Sequence, residues 1–311
     1  MHIPDGFLDA KTAAATAGLS ALGVGLALRR VKRELPPRKV PLLGLAAAFL
    51  FAAQMVNFPV AGGTSGHLIG GALIAALLGP SAAVVVVTTV LIVQCFLFAD
   101  GGILALGANI FNMAILGCVG GYLVLRAVKC TLPGARGQVT AVAFAAWCSV
   151  VFAAISCAGQ LAWSGTVDWR AAFPAMALTH MIIGLGEGLI SALIFLAVQR
   201  TRPDMIVDGP TAPRRGTELI VLGLLAVLGI ALFVAPFACP WPDGLEAVAA
   251  KLGFEHKATS QAAPMADYQV HGIHWAVGAT ALAGGIGSIA VFSLALLLGR
   301  LLVPRTNTSR S

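Results

Sequence analysis

Long apolar runs separated by short polar stretches set the pattern of this chain. A transmembrane helix needs about 20 apolar residues to cross a hydrocarbon layer of ~30 Å. Eight runs qualify: residues 10–29, 41–59, 80–98, 103–127, 138–163, 173–199, 217–236 and 274–299. A ninth, 62–79, is apolar but opens on Gly62-Gly63-Thr64-Ser65-Gly66-His67 and ends at Gly79-Pro80. The pattern predicts an all-α polytopic membrane protein with about nine transmembrane helices.

Composition excludes the other classes. Of 311 residues, 58% are hydrophobic and 11% charged, with mean hydropathy +0.90, against about 25% charged in globular domains. Soluble, disordered and collagen-like chains do not look like this, nor do secreted disulfide scaffolds. The net charge of +7 sits in short loops between apolar runs, where it signals topology and not nucleic-acid binding. Six cysteines (Cys95, Cys118, Cys130, Cys148, Cys157, Cys239) form no CxxC pair, and most lie in apolar runs, as small core residues do.

Positive charge also decides whether 62–79 crosses. With nine crossings, sixteen of the twenty Lys and Arg residues are cytoplasmic, leaving Lys11, Arg170, Lys251 and Lys257 outside. Without the ninth, the clusters at 126–136 and 200–215 would both be exported, against the positive-inside rule. The expected arrangement is N-terminus outside and C-terminus cytoplasmic. The first run has no basic stretch before it, so it reads as a span and not a cleaved leader, with a free amine on Met1. A proline-rich linker at 201–216 divides residues 1–200 from 217–311, and the second unit carries an outside loop at about 237–273.

Candidate chemistry begins at the first residue. In Met1-His2-Ile3-Pro4-Asp5-Gly6-Phe7, the α-amine and the His2 amide nitrogen close a five-membered chelate ring. That amide and His2 Nδ1 close a six-membered one. Three nitrogens in a plane suit Ni(II) or Cu(II) better than Zn(II) or Mg(II), and protons compete for them, so affinity falls in acid. His67, on the same side, is the natural fourth donor; its alternative is an interfacial polar residue. Asn57, Thr64, Ser65, Gln94 and Asn109 are candidate pocket residues, although amides in spans also serve as interhelical glue. His180 and Glu187 lie seven residues apart on one helix face. Glu187 is the one carboxylate well inside a span, a candidate for function, a structural ion pair or a subunit contact. His256, His271 and His274 of the outside loop are either metal collectors or simply solvated.

Three enzyme motifs bear on function. There is no GxxxxGK[ST] and no HExxH, so neither ATP hydrolysis nor a resident nucleotide is expected of this chain. Gly63-Thr64-Ser65-Gly66 matches the GxSG of intramembrane serine proteases, which makes a protease using Ser65 and His180 the alternative reading.

The N-terminal motif, the Gly-Gly-Thr-Ser-Gly-His run ending at His67, and the His180 to Glu187 segment together resemble the CbiM/NikM family. Its members are the substrate-binding S components of energy-coupling-factor transporters for cobalt and nickel. Pro242-Asp243-Gly244-Leu245-Glu246 resembles the PDGLE domain, related to the small N component. The resemblance implies a seven-helix S component fused to a two-helix unit, in a prokaryotic plasma membrane. It also implies metal held by Met1, His2 and His67, with Ni2+ or Co2+ as transported substrate. Partners would be a transmembrane coupling subunit and two ATPase subunits. Nickel is favoured by the in-plane nitrogens and the Pro-Asp-Gly continuation; cobalt stays open.

Overall fold

The computed structural model describes residues 1–206 and 216–303, without the side chains of Gly216 and Thr217. Asp208, Pro210, Pro213, Arg214 and Arg215 of the expected linker lie outside the described residues, as do Arg305 and Arg310. The chain is helical almost throughout. Its helices are α1 (Ala10–Glu34), α2 (Val40–Gln54), α3 (Gly71–Leu78) and α4 (Pro80–Phe98). They continue with α5 (Leu106–Thr131), α6 (Gly134–Trp163), α7 (Trp169–Thr201) and α8 (Gly216–Phe233). Last come a short α9 (Gly244–Leu252) and α10 (Ala276–Leu302). An antiparallel hairpin, β1 (Phe58–Val60) and β2 (Thr64–Gly66), pairs Phe58 with Gly66.

Among the described residues, seven helices are long and apolar enough to cross a membrane. The two expected spans that differ do so for local reasons. The 41–59 run is helical only to Gln54, because the residue before Pro59 is forced out of the helical region and Phe58 begins a strand instead. The 62–79 run is not one helix. Gly62 and Gly63 take positive φ to turn the hairpin, and α3 spans eight residues before Gly79 and Pro80 stop it. At 1.5 Å per residue α3 is about 12 Å long, so this segment enters the protein as a hairpin, a loop and a short helix.

Small residues bring these elements together. A Cβ on Gly188 would lie 2.8 Å from the Ala143 carbonyl, and one on Gly121 2.8 Å from Ala72, so α6–α7 and α3–α5 approach to backbone contact. The glycine and alanine runs therefore pack within the chain. Residues 216–303 lean on α2: Leu45, Ala48 and Ala52 share a buried cluster with Val227 and Ala231 of α8. Apolar side chains on α1 (Leu19, Leu22, Leu26) and α7 (Leu185, Leu189, Leu193) are exposed, as lipid-facing residues are.

Candidate metal centre

Residues 1–9 fold back into the protein, each step held. Asn109 clamps Ile3 from both sides, accepting from its N–H at 2.8 Å and donating to its carbonyl at 3.1 Å. The Asp5 carboxylate accepts from the N–H groups of Ile103, Leu104 and Ala105, just before α5 starts, where a helix favours negative charge. Gly6 has φ +90°, and a Cβ there would lie 2.0 Å from the Lys257 carbonyl, so only glycine fits this turn. Thr166 Oγ1 donates to the Phe7 carbonyl at 2.5 Å, and Asp9 caps α1 by accepting from Thr12 N–H.

This tuck buries the first two residues. Met1 is 4% exposed, with its amine nitrogen 3.0 Å from His67 Nε2. The imidazoles of His2 and His67 stack, centroids 5.4 Å apart. His2 Nδ1 lies 3.0 Å from Asp100 Oδ1, so that nitrogen is engaged by a carboxylate and not by the amine. Its Nε2 meets Gln94 Oε1 at 3.2 Å. From there a line of amides runs inward: Gln94 Nε2 donates to Gln54 Oε1 at 2.8 Å, and Gln54 Nε2 to the Ile69 carbonyl at 3.2 Å. Glu187, fully buried, ends the line, its two oxygens accepting from Ile69 N–H at 2.7 Å and Gly70 N–H at 2.8 Å. The carboxylate thereby fixes the turn directly after His67.

The second part of the chain closes the site. The Pro242 carbonyl accepts from Ser65 N–H at 2.8 Å and Thr64 Oγ1 at 3.0 Å. Asp243 then reaches the Met1 amine with Oδ2 while Oδ1 caps α9, accepting from Leu245 and Glu246 N–H. Burial alone would raise the Asp243 pKa, but the Met1 ammonium and the His67 beside it hold it well below the usual carboxylate range. Burial lowers the pKa of His2, opposed by the nearby Asp100, so its imidazole stays neutral further into acid than a free histidine. Above these groups opens a vestibule of about 850 Å³ walled by both parts, including His2, His67, Asn57, Asp100, Asp243, Glu246, Glu255 and Asp267. Tyr268 donates to Asp100 at 2.5 Å.

The structure thus gathers Met1, His2, His67, Thr64, Ser65, Gln94, Asn109 and Glu187, with Asn57 on the vestibule wall and His180 behind His67. It does not join Ser65 to His180. Ser65 Oγ donates to the Trp241 carbonyl at 2.8 Å, and His180 Nδ1 lies 2.8 Å from the Met176 carbonyl, so the serine lacks the base that a protease requires. His256, His271 and His274 are exposed in the segment between α8 and α10. Among the described residues no three His, Cys, Asp or Glu side chains form a ready metal cage. Sequence reasoning missed Asp243, Asp100 and Asp5; Gln54 reads from sequence as interhelical glue or pocket lining, and the structure places it between Gln94 and the Ile69 carbonyl. The Pro-Asp-Gly-Leu-Glu string carried a signal for Asp243, but nothing tied it to residue 1.

The profile described as cobalt uptake substrate-specific transmembrane region, CbiM, matches residues 2–205, and that of the PDGLE domain matches 217–304. The chain belongs to the CbiM family. A relative in Archaeoglobus fulgidus, provisionally named fused nickel transport protein NikMN, is 36% identical over 96% of this chain and 98% of its own. The cobalt transport protein CbiM of Geobacter sulfurreducens is 31% identical over 82% of this chain and 78% of its own. A crystal structure described as a truncated transition metal transporter superposes with TM-score 0.59 at 32% identity, covering 64% of this chain and 99% of that one. This CbiM-family chain is a multi-pass protein of the prokaryotic plasma membrane.

Proposed function

We propose that this chain is the substrate-binding subunit of an energy-coupling-factor importer for Ni2+ or Co2+, with Ni2+ preferred. The ion is captured on the outer side by the Met1 amine, the His2 amide and imidazole, and His67. A transmembrane coupling subunit and two ATPase subunits then drive its release inward, and no chemical conversion takes place in this chain. Residues 1–200 form the S component; residues 217–311 form an N-component-like unit whose loop 237–273 roofs the site. The observation that carries this reading is the burial of the N-terminal amine against His67 Nε2 at 3.0 Å.

Charge balance shows how a dication enters so buried a place. The Met1 ammonium and Asp243 neutralise one another. Binding through the amine and a deprotonated His2 amide releases about two protons, since ligands must lose theirs to coordinate, so the dication leaves the net charge unchanged. His2 must also trade its contact with Asp100 for the ion. Nitrogen donors in a planar field favour Ni(II).

The test is a chain that keeps its N-formyl group, which removes the amine's basicity and changes no residue. Wild-type protein is expected to bind Ni2+ near one per chain and release about two protons, read by calorimetry in buffers of different ionisation enthalpy. The formylated chain is expected not to bind at micromolar Ni2+; equal binding by both chains would overturn the reading.

A further inference from the structure

His180 has a partner on one nitrogen only. Its Nδ1 lies 2.8 Å from the Met176 carbonyl, which can only accept, so the ring hydrogen sits on Nδ1 and Nε2 carries a lone pair. That Nε2 is buried without a hydrogen-bond partner, in a residue 2% exposed. An imidazole that donates one N–H to a backbone carbonyl and presents the other nitrogen bare is oriented as metal-ligating histidines are. None of the capture contacts uses it.

The bare nitrogen belongs to a second, smaller cavity. A void of about 10 Å³ is lined by Met1, Ser65, His67, His180, Asp243 and Gly244, among others, large enough for about one water-sized occupant. Its lining shares only His67 and Asp243 with the outer vestibule; His2 faces the vestibule alone and His180 the void alone. Gly244 lets the second unit come this close: a Cβ there would lie 2.8 Å from His180 Nε2 and 2.7 Å from Ile183.

We propose that this void is a second position for the transported ion, with His180 Nε2 as its ligand, bordered by two of the capture residues, Met1 and His67, and by Asp243. The proposal rests on the divalent-metal reading above. Because His67 and Asp243 border both cavities, an ion moves between them without losing every donor at once. The donors are not drawn into a cage, which suits a position that must also give its ion up.

The test uses the full-length chain in lipid nanodiscs and crystals, with Ni2+ alone as the probe. In the His2→Ala chain the imidazole arm of the capture chelate is gone, leaving the Met1 amine, the backbone amide of residue 2 and His67; Ni2+ is expected to bind about a hundredfold more weakly and to shift inward, with its anomalous peak about 2.1 Å from His180 Nε2. Adding His180→Gln to that chain is expected to weaken binding at least another tenfold. A peak away from His180, no binding by the His2→Ala chain, or equal affinity with and without His180→Gln would overturn the second position. If instead the His2→Ala chain binds as tightly as the unaltered one, the capture reading fails.

Discussion

Around the Met1 amine, residues 1–206 contribute His2, His67 and the amides of Gln54, Gln94 and Asn109. The segment 235–280 contributes carboxylates: Asp243, Glu246, Glu255 and Asp267 all border the vestibule. Nitrogen donors bind late transition ions tightly and discriminate among them. Carboxylates attract every divalent cation through a field that reaches further but selects less. On the proposed function, this division makes the first part set affinity and the second set how fast and by what path an ion arrives. Asp100 is the exception, a carboxylate from the first part that orients His2.

Breaking the nitrogen side is expected to have the largest effect. Retaining the N-formyl group lowers Ni2+ affinity by at least about a thousandfold, or roughly 4 kcal/mol, by removing a donor and the charge exchange with it. His67→Ala follows, at about a hundredfold, because the remaining three nitrogens still chelate. Both are read by Ni2+ titration of the purified chain. A smaller loss from formylation than from His67→Ala would mean that the amine is not the anchor.

Glu187→Gln tests support for the nitrogen side from a distance. The amide retains one acceptor oxygen where two backbone N–H groups need one each, leaving Gly70 or Ile69 unsatisfied and the turn behind His67 loose. Supporting residues of this kind alter metal affinity about 10- to 100-fold. A purely structural role would lower thermal stability alone; the expected result is also a shifted ligand-field spectrum of the bound Ni2+, which a stability defect does not produce.

The contrast between the two parts also explains what the sequence could reveal. Spans α1 and α4 to α7 follow from run length alone, since a long apolar stretch has no other stable form in lipid. The proposed donors Met1 and His2 can be read from sequence because adjacency at a chain end defines a chelate without any fold, and His67 because its glycine-rich run places it on the same side as Met1. The short α2 and the hairpin at 58–66 cannot, because two residue-level effects, Pro59 on Phe58 and positive φ at Gly62 and Gly63, outweigh hydropathy there. Asp243 was not legible as a site residue, because 242 positions separate it from the amine it holds and only the packing of residues 216–303 on α2, on Ser65 and on His180 brings them together. The clamp of Glu187 on Ile69 and Gly70 is hidden for the same reason.

On the carboxylate side, Asp243→Asn keeps the cap on α9 but loses the charge that balances the ammonium. The amide pairs less well with a cation, so the roof over the amine is held less firmly and the ammonium loses its counter-charge. The loss of Ni2+ affinity is expected to stay within about tenfold, somewhat below the strength of one hydrogen bond to a charged group, because no donor is removed. Ni2+ titration of the variant reads it, and a loss of about a hundredfold or more would mean that Asp243 itself holds the ion.

The smallest equilibrium effect is expected from Glu255→Gln with Asp267→Asn, which removes two charges from the vestibule wall and touches no proposed donor. Steering acts on arrival, so the association rate for Ni2+ drops by about tenfold at low salt, within the range that focused fields produce, while the dissociation rate stays fixed. At 1 M salt, where the Debye length shrinks to about 3 Å, wild type and variant should associate at the same rate. Stopped-flow mixing at both ionic strengths separates this from a donor role, because a lost donor would raise the dissociation rate and persist in high salt.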